Sequence, residues 1–485
     1  MVAPNQPPPS TETSNDMQTN EWESVAALAD NKMPTNEKQE KESTVEKEPI
    51  NTEPYFGETY KAYMVNVFRL YENIEQSDMS EEEKEIAFNS ELADYLISDR
   101  EKMNTLLKTQ TEDQRLIDLA PTEFHRGAES LNFTSVKNLY DTFINDVNVV
   151  NDDYEGNMYI TVPKGQKIFD EQILSDDGEI QINPEIKYDF SMLKDIYDFA
   201  KEHDKQIKFH VFLWHDAIPD NLKAEVDNVT DPSLKRRMIL SFLDDYASNL
   251  AKFIKENGYD LRQLEALNEI AFNDGPEKTT LRDSWWKNVI GENPENGDPY
   301  YIDVLKIVKK NFPNTEIIYN EYNEFIDCKT DRIVNILEEV KRVEERDGIK
   351  ILDGIGLQAH YSDFIKGPDV PLTEWDIKKS AAKLEHACRG KKIYITEYDF
   401  IDTMKDGSKE QLEKAFVEIY SKIANGFITW GNSDALTWYH CIDKEGNSMD
   451  AQIIDSDGKP KAIYQKIKEA FYLSKQRDDK QKTNL

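Results

Sequence analysis

Three features of the sequence predict an α/β fold, and within that class a (β/α)8 barrel. Short apolar runs alternate with amphipathic stretches across much of the 485-residue chain, as strands alternate with helices around a parallel sheet. No glycine-rich phosphate loop of the form GxGxxG or GxxxxGK(S/T) follows any run, which disfavours a nucleotide-binding doubly wound sheet. The runs end in polar or aromatic residues, and a barrel brings all such ends to one face.

The elements follow in order. Residues 1–53 are rich in Pro, Thr, Ser, Asn, Glu and Lys and poor in large apolar groups. That composition cannot offset its ordering entropy, so a disordered polar and acidic linker is expected, either a tether or an inert tail. From 54 to 120 the pattern is helical, with Tyr60, Met64, Phe68 and Tyr71 at steps of three and four. Ser80 and Glu83 form a capping-box pattern for the next helix. Residues 121–475 hold the alternating pattern, and a charged tail runs from 476 to 485. The clearest strands are QIKFHVFLW (206–214), QLEALN (263–268), EIIYN (316–320), GIGLQAH (354–360), KIYITE (392–397) and ALTWYH (435–440). Helices are expected at SLKRRMILSFLDDYASNLAKFIKEN, YYIDVLKIVKKNF, KTDRIVNILEEVKRVEER, DIKKSAAKLEHA and SKEQLEKAFVEIYSKIANG. A hairpin is expected at SDDGE (175–179).

Composition narrows the partners. The chain has 94 acids against 59 bases, a net charge of −35. Such a field repels phosphate backbones, so nucleic acid is not an expected partner, while a neutral polymer is not repelled. Seven Trp, 23 Tyr and 21 Phe suit a protein that stacks on rings, although most aromatics fill cores. Cys328, Cys388 and Cys441 lie far apart and form no CxxC motif, so free or buried thiols are expected, with at most one disulfide. No apolar run is long enough to span a membrane. The opening MVAPNQPPPSTETSND has neither a basic nor an apolar leader region and is not read as a signal peptide. Either the protein stays inside the cell or a signal has been removed. A monomer without cofactor or metal is expected.

The strand ends carry the chemistry. His210, Trp214 and His215 close the first run, Asn268 and Glu269 the second, and Asn320, Glu321, Tyr322 and Asn323 the third. Gln358 and His360 close the fourth, Glu397 and Asp399 the fifth, and Trp438 and His440 the last. A lone Glu after a strand is most simply a helix N-terminal acid favoured by the dipole. Glu269 and Glu397 together, beside Asn, Gln, His and Trp, make a different pattern. Two carboxyl groups across a barrel mouth are what glycosidic cleavage requires, one donating a proton and one attacking the anomeric carbon. His210, His215 and His360 also raise the possibility of a zinc site, but a five-residue spacing of the first two is poor for a metal pair. Tyr322 either stacks on sugar or caps its strand. His215 and His440 are open to a core or supporting role.

The segments FHVFLWHDAIPD, ALNEIAFND, IIYNEYN, DGIGLQAHYSD, IYITEYDF and LTWYHCIDKEGN resemble, in order and spacing, glycoside hydrolase family 10, the endo-β-1,4-xylanases. IDSDGKPKAIYQKI resembles that family's closing segment, and the likeness covers about 188 to 475. The resemblance implies a retaining (β/α)8 glycosidase that hydrolyses internal β-1,4-xylosidic bonds of xylan through a covalent glycosyl-enzyme. It implies Glu269 as acid/base and Glu397 as nucleophile. Asn268 matches the Asn that binds the sugar 2-hydroxyl, Gln358 the Gln that contacts the acid/base, and His360 the His that orients the nucleophile. Asp399 sits where the family's Asp supports that His. His210, Trp214 and Trp438 match residues lining the subsite of the attacked sugar. A polymer substrate implies an extracellular or cell-surface protein.

Two departures bear on the sugar. The family's Glu-Asn-x-x-Lys signature is missing from FINDVNVVNDDYEGNMYITV, where Asn151 or Asp152 stands nearest its place. A second Trp expected after the last strand is missing too, and Met449 lies near its place. Two alternatives therefore stand beside xylan cleavage: a retaining barrel glycosidase on another β-linked glycan, and a non-catalytic carbohydrate-binding barrel.

Overall fold

The computed structural model describes residues 125–129, 147–152, 155–175, 178–272, 280–362, 372–401, 408–431, 434, 451–455, 459–464, 466–468 and 471. The expectations for residues 1–53, 54–120 and 476–485, and for Trp438, His440 and Cys441, lie outside them.

Eight parallel strands close into a ring. They are β1 (His125–Glu129), β2 (Val149–Asn151), β3 (Gln206–Phe209), β4 (Leu261–Asn268), β5 (Glu316–Glu321), β6 (Gly354–Leu357), β7 (Lys392–Ile401) and β8 (Gly426–Thr429). Each pairs in parallel with the next. β8 pairs back to β1, with His125 opposite Gly426. This is the predicted barrel, and closure pairs the first and last strands of the ring with each other instead of leaving them as edges.

Helices α1 (Ser191–Glu202), α2 (Pro232–Asn257), α3 (Tyr300–Asn311), α4 (Asp327–Asp347), α5 (Glu374–Ala387) and α6 (Ser408–Ile423) precede β3 to β8 in turn. Local sequence explains their bounds. Asp231 caps α2 through Ser233 N and Leu234 N, Pro232 takes the first position, and Gly258 ends it at φ 64°. Met238, Phe242, Tyr246, Leu250 and Ile254 recur every four residues along α2 and are buried. Burial of such a large apolar side chain contributes about 1.5–3 kcal/mol. Thr373 and Asp376 form the capping box of α5. None of the helices among the described residues is long and apolar enough to cross a membrane.

Three expectations on the strands change. The run 206–214 stops as a strand at Phe209 and continues as an irregular segment, with Phe212 N on Glu265 O (2.9 Å) and Asn268 N on Leu213 O (3.0 Å). The run 354–360 breaks at Ala359, whose φ is +60°, and resumes as a short strand at His360–Ser362. The last barrel strand is Gly426–Thr429, not 435–440, which lies outside the described residues. Strands β1 and β2 had not been recognised, because HRGAE has no apolar run and VVN is only three residues long. The strands on either side of SDDGE pair antiparallel, Phe169–Leu174 with Ile180–Ile182, as expected of a hairpin. Cys328 and Cys388 are free thiols, and burial pushes the Cys388 thiol up to about 12.

The barrel wall faces its helices with apolar side chains, but its interior is polar. Lys208, Gln263, Glu265, Asn320, Thr396 and Thr429 are all fully buried. Buried charges need partners, and Lys208 Nζ meets Glu265 Oε1 at 2.7 Å.

Candidate active site

Glu397 lies on β7 where the register with β8 shifts between Ile395 and Tyr398. Such irregularities re-aim side chains near active sites. Here the shift sets both Thr396 and Glu397 against Asn320: Thr396 Oγ1 donates to Asn320 Oδ1, and Asn320 Nδ2 to Glu397 Oε1, both at 2.6 Å. Gly356 leaves room for that amide, since a Cβ there would meet Asn320 Oδ1 at 2.4 Å. His360 bridges two carboxylates, with Nε2 2.9 Å from Glu397 Oε2 and Nδ1 2.9 Å from Asp399 Oδ1. Burial alone would lower the imidazole pKa, but Asp399 and Glu397 outweigh it and push it up to about 10. Both ring nitrogens then carry protons and donate. Burial alone would raise Glu397, but the His360 hydrogen bond and the charges of His210, His360 and Lys208 hold it down, near 2. Glu397 is thus held as a carboxylate.

Glu269 follows directly on β4. Its φ is +57°, in the left-handed region. Oε1 accepts from Asn268 Nδ2 (3.1 Å) and Gln358 Nε2 (3.0 Å). Asn268 Oδ1 accepts from Gln358 Nε2 (3.2 Å) and Asn320 Nδ2 (3.0 Å). One amide network therefore touches both carboxyl groups. Glu269 Oε2 lies 3.9 Å from His215 Nδ1. Burial, helped by the Arg282 charge, lowers the His215 pKa to about 3, so this ring is neutral. Burial, then the negative charge of Glu269, raises Asp216 to about 6.

His210 belongs to the floor beneath Glu397. Its Nδ1 is 2.5 Å from Glu265 Oε2 and 3.8 Å from Glu397 Oε1. Ligand atoms of His210, Glu265 and Glu397 lie within 4.8 Å of one another, and the Lys208 ammonium already faces Glu265. The three histidines suspected as a metal set divide between the carboxyl groups: His210 and His360 at Glu397, His215 at Glu269. Trp214 is buried, bridges to Asn268 and accepts at its carbonyl from Trp286 Nε1 (2.8 Å). Tyr322 accepts from Arg282 Nη2 (2.7 Å), and the Lys329 ammonium lies 4.6 Å from its ring. Tyr322, just beyond β5, thus sits between the Arg282 guanidinium and the Lys329 ammonium.

The residues nearest the missing signature turn inward. Asn151 Oδ1 accepts from Lys208 Nζ (2.9 Å), and Asp152 accepts from Tyr197 OH (3.0 Å) and His210 N (3.2 Å). Burial, then Glu155, raises Asp152 well above the carboxylate range.

Five residues of the site had not been assigned from sequence. Asn320 was visible as a strand end but given no role. Lys208 and Glu265 were visible as charges inside apolar runs. Arg282 lies in a loop without periodicity. Trp430 was hidden by the misplaced last strand. It directly follows β8, is buried, and has its ring 5.2 Å from His210 and 6.2 Å from His360. With β8 at 426–429, both Trp430 and Trp438 follow the last strand. The expected loss of a second Trp is corrected accordingly.

With this geometry, comparison with known proteins is specific. The model of Glycosyl hydrolase family 10 matches residues 146–470. Endo-1,4-beta-xylanase A of Caldicellulosiruptor saccharolyticus is 28% identical over 302 residues, covering 58% of this chain and 81% of its own length. Endo-1,4-beta-xylanase A of Thermotoga neapolitana is 26% identical over 275 residues, which is 53% of this chain but 23% of that relative. Among solved structures, xylanase 10B from Thermotoga petrophila in complex with xylobiose has a TM-score of 0.54 at 21% identity, covering 75% of this chain and 98% of that one. A glycosylated endo-beta-1,4-xylanase from Gloeophyllum trabeum has a TM-score of 0.53 at 16% identity. At these identities the structural likeness concerns the fold.

Proposed function

The chain belongs to glycosyl hydrolase family 10, and from that premise we propose that it cleaves internal β-1,4-xylosidic bonds of xylan with retention of configuration. The observation that carries this reading is the pair Glu269 and Glu397, joined through Asn268 and Asn320 and held in unlike environments. Glu397, ionised by His360, attacks the anomeric carbon and forms the glycosyl-enzyme. Glu269 gives its proton to the departing glycosidic oxygen. In the second step Glu269 takes a proton from water, the water oxygen bonds to the anomeric carbon, and the Glu397 carboxylate leaves. Amide donors converge on Oε1 of Glu269, so the transferred proton is assigned to Oε2. Asn268 is proposed to bind the sugar 2-hydroxyl, and His210, Trp214, Trp430 and Trp438 to wall the subsite of the attacked sugar.

The test is reducing-sugar release from xylan, cellulose, mannan and mixed-linkage glucan by wild type and by Glu397→Ala. Xylan turnover by wild type alone is expected. Equal and negligible release from all four by both proteins would leave the binding-module reading instead. Proton NMR of the first product should show the β-anomer. Retention also requires the two carboxyl groups to be about 5–5.5 Å apart, and a gap above about 6.5 Å would argue for inversion. A different β-linked glycan is favoured by one observation: the Asn151 and Asp152 side chains are fully buried and already engaged by Lys208, Tyr197 and the His210 backbone. Preferential release from mannan or glucan would establish it. A polymer substrate further leads us to propose an extracellular or surface location, checked by cell fractionation. We also propose a monomer, checked by light scattering.

A further inference from the structure

Glu269 is not a glycine, yet its backbone sits at φ +57°. Such a conformation is unfavourable for a residue with a Cβ and persists only when its surroundings hold it. Two contacts hold it here. Its N–H donates to Asn320 O (3.0 Å), and its carbonyl accepts from Arg282 Nε (2.9 Å). Arg282 is itself anchored. Its N–H donates to Ile270 O (2.8 Å), and its Nη2 donates to Tyr322 OH (2.7 Å), at the end of β5. Lys329, buried on Glu321 at 2.7 Å, packs against the other partner, the Tyr322 ring.

We propose that Arg282 is a positioning residue for the acid/base. Its guanidinium ties the Glu269 carbonyl to the Tyr322 hydroxyl and so sets the direction in which the Glu269 carboxyl leaves the backbone. The planar fork matters, because one ammonium on a flexible stem does not reproduce two fixed donors. The inference rests on Glu269 serving as the acid/base. It implies that loss of Arg282 impairs proton delivery more than attack by Glu397.

Leaving-group dependence separates this role from a merely structural one. Two aryl β-xylobiosides are compared, one with a 2,4-dinitrophenol leaving group that needs little protonation and one with phenol. In Arg282→Ala, kcat/KM on the phenyl substrate should fall roughly 10- to 100-fold, and by less than about threefold on the dinitrophenyl substrate. Arg282→Lys should recover part of the difference. Tyr322→Phe, which keeps the ring and removes one prong, should show a smaller change of the same sign. Equal losses on both substrates in Arg282→Ala would overturn the proposal. Where Arg282→Ala does not fold, by circular dichroism, equal losses in Arg282→Lys and Tyr322→Phe overturn it. Glu269→Ala is the reference. If it shows leaving-group dependence and the Arg282 variants do not, the positioning inference fails alone. If it shows none, the acid/base assignment fails as well.

Discussion

The two halves of the site hold their carboxyl groups by different means. Glu397 is held at its side chain, by a protonated His360 that Asp399 fixes from behind. Glu269 is held at its backbone, by Asn320 and Arg282, while neutral amides from Asn268 and Gln358 meet its Oε1. The difference matches the roles proposed for the two carboxyl groups. A nucleophile needs to stay ionised until it attacks. An acid/base must give up and regain a proton in each cycle, and a cation hydrogen-bonded to its oxygens would oppose that exchange. Glu324 serves as an internal control. It is as deeply buried as Glu397, but its Oε1 has no hydrogen-bond partner among the described residues. Burial dominates there and pushes its carboxyl up to about 8.

The largest effect is expected at the proposed nucleophile. Glu397→Ala should lower kcat on the order of 10⁴-fold or more. Added azide should restore turnover of an activated substrate and give the α-glycosyl azide, identified by NMR. A β-azide would reverse the two assignments. Next comes the bridge. Asn320→Ala removes a hydrogen bond to an ionised group and the tie to Asn268, and should cost about 2–3 kcal/mol in kcat/KM, roughly 10²-fold. A smaller effect on one step than the other, read by pre-steady-state kinetics, would show which carboxyl depends on it more.

His360→Asn sharpens the charge argument. Glu397 is held below its ordinary value chiefly against burial by this imidazolium. Without it the carboxyl pKa rises, so the acid limb of kcat/KM should move to higher pH by about one unit or more. An unmoved limb would mean that the ionised state is secured elsewhere. The smallest effect is expected at Glu324. Its pKa is raised in the folded state, so the folded protein binds that proton more tightly than the unfolded chain. Its contribution to stability is therefore present below the ordinary value of 4.5 and is lost as pH rises through about 8. Glu324→Gln should abolish that loss. The wild-type Tm should fall relative to the variant between those pH values, and parallel Tm curves would count against a neutral buried carboxyl.

Much of this was legible before any fold was known. The α/β pattern follows from local period, and five of the barrel strands overlap apolar runs. Glu269 and Glu397 announced themselves as acids ending such runs. The first two strands were not legible, because their stability comes from neighbours and not from an apolar sequence of their own. The last strand is obscured, because GFIT follows α6 without a break in composition, while ALTWYH is a more conspicuous run. That alone concealed Trp430.

Residue order alone carries the inventory and its periods: which residues are apolar at strand spacing, and which polar groups end those strands. The pairing of those groups comes from the fold. Asn320 and Glu397 are 77 residues apart, and Gln358 and Glu269 are 89 apart. No local preference sets such contacts. They follow from closure of the ring, which turns every strand end toward one mouth. The left-handed turns at Glu269 and Ala359 belong to the same class. Neither residue type favours that conformation on its own, so packing and distant hydrogen bonds impose it. The physical reason is that short-range sterics choose strands and helices, while the state of each carboxyl depends on charges that only the closed barrel brings near.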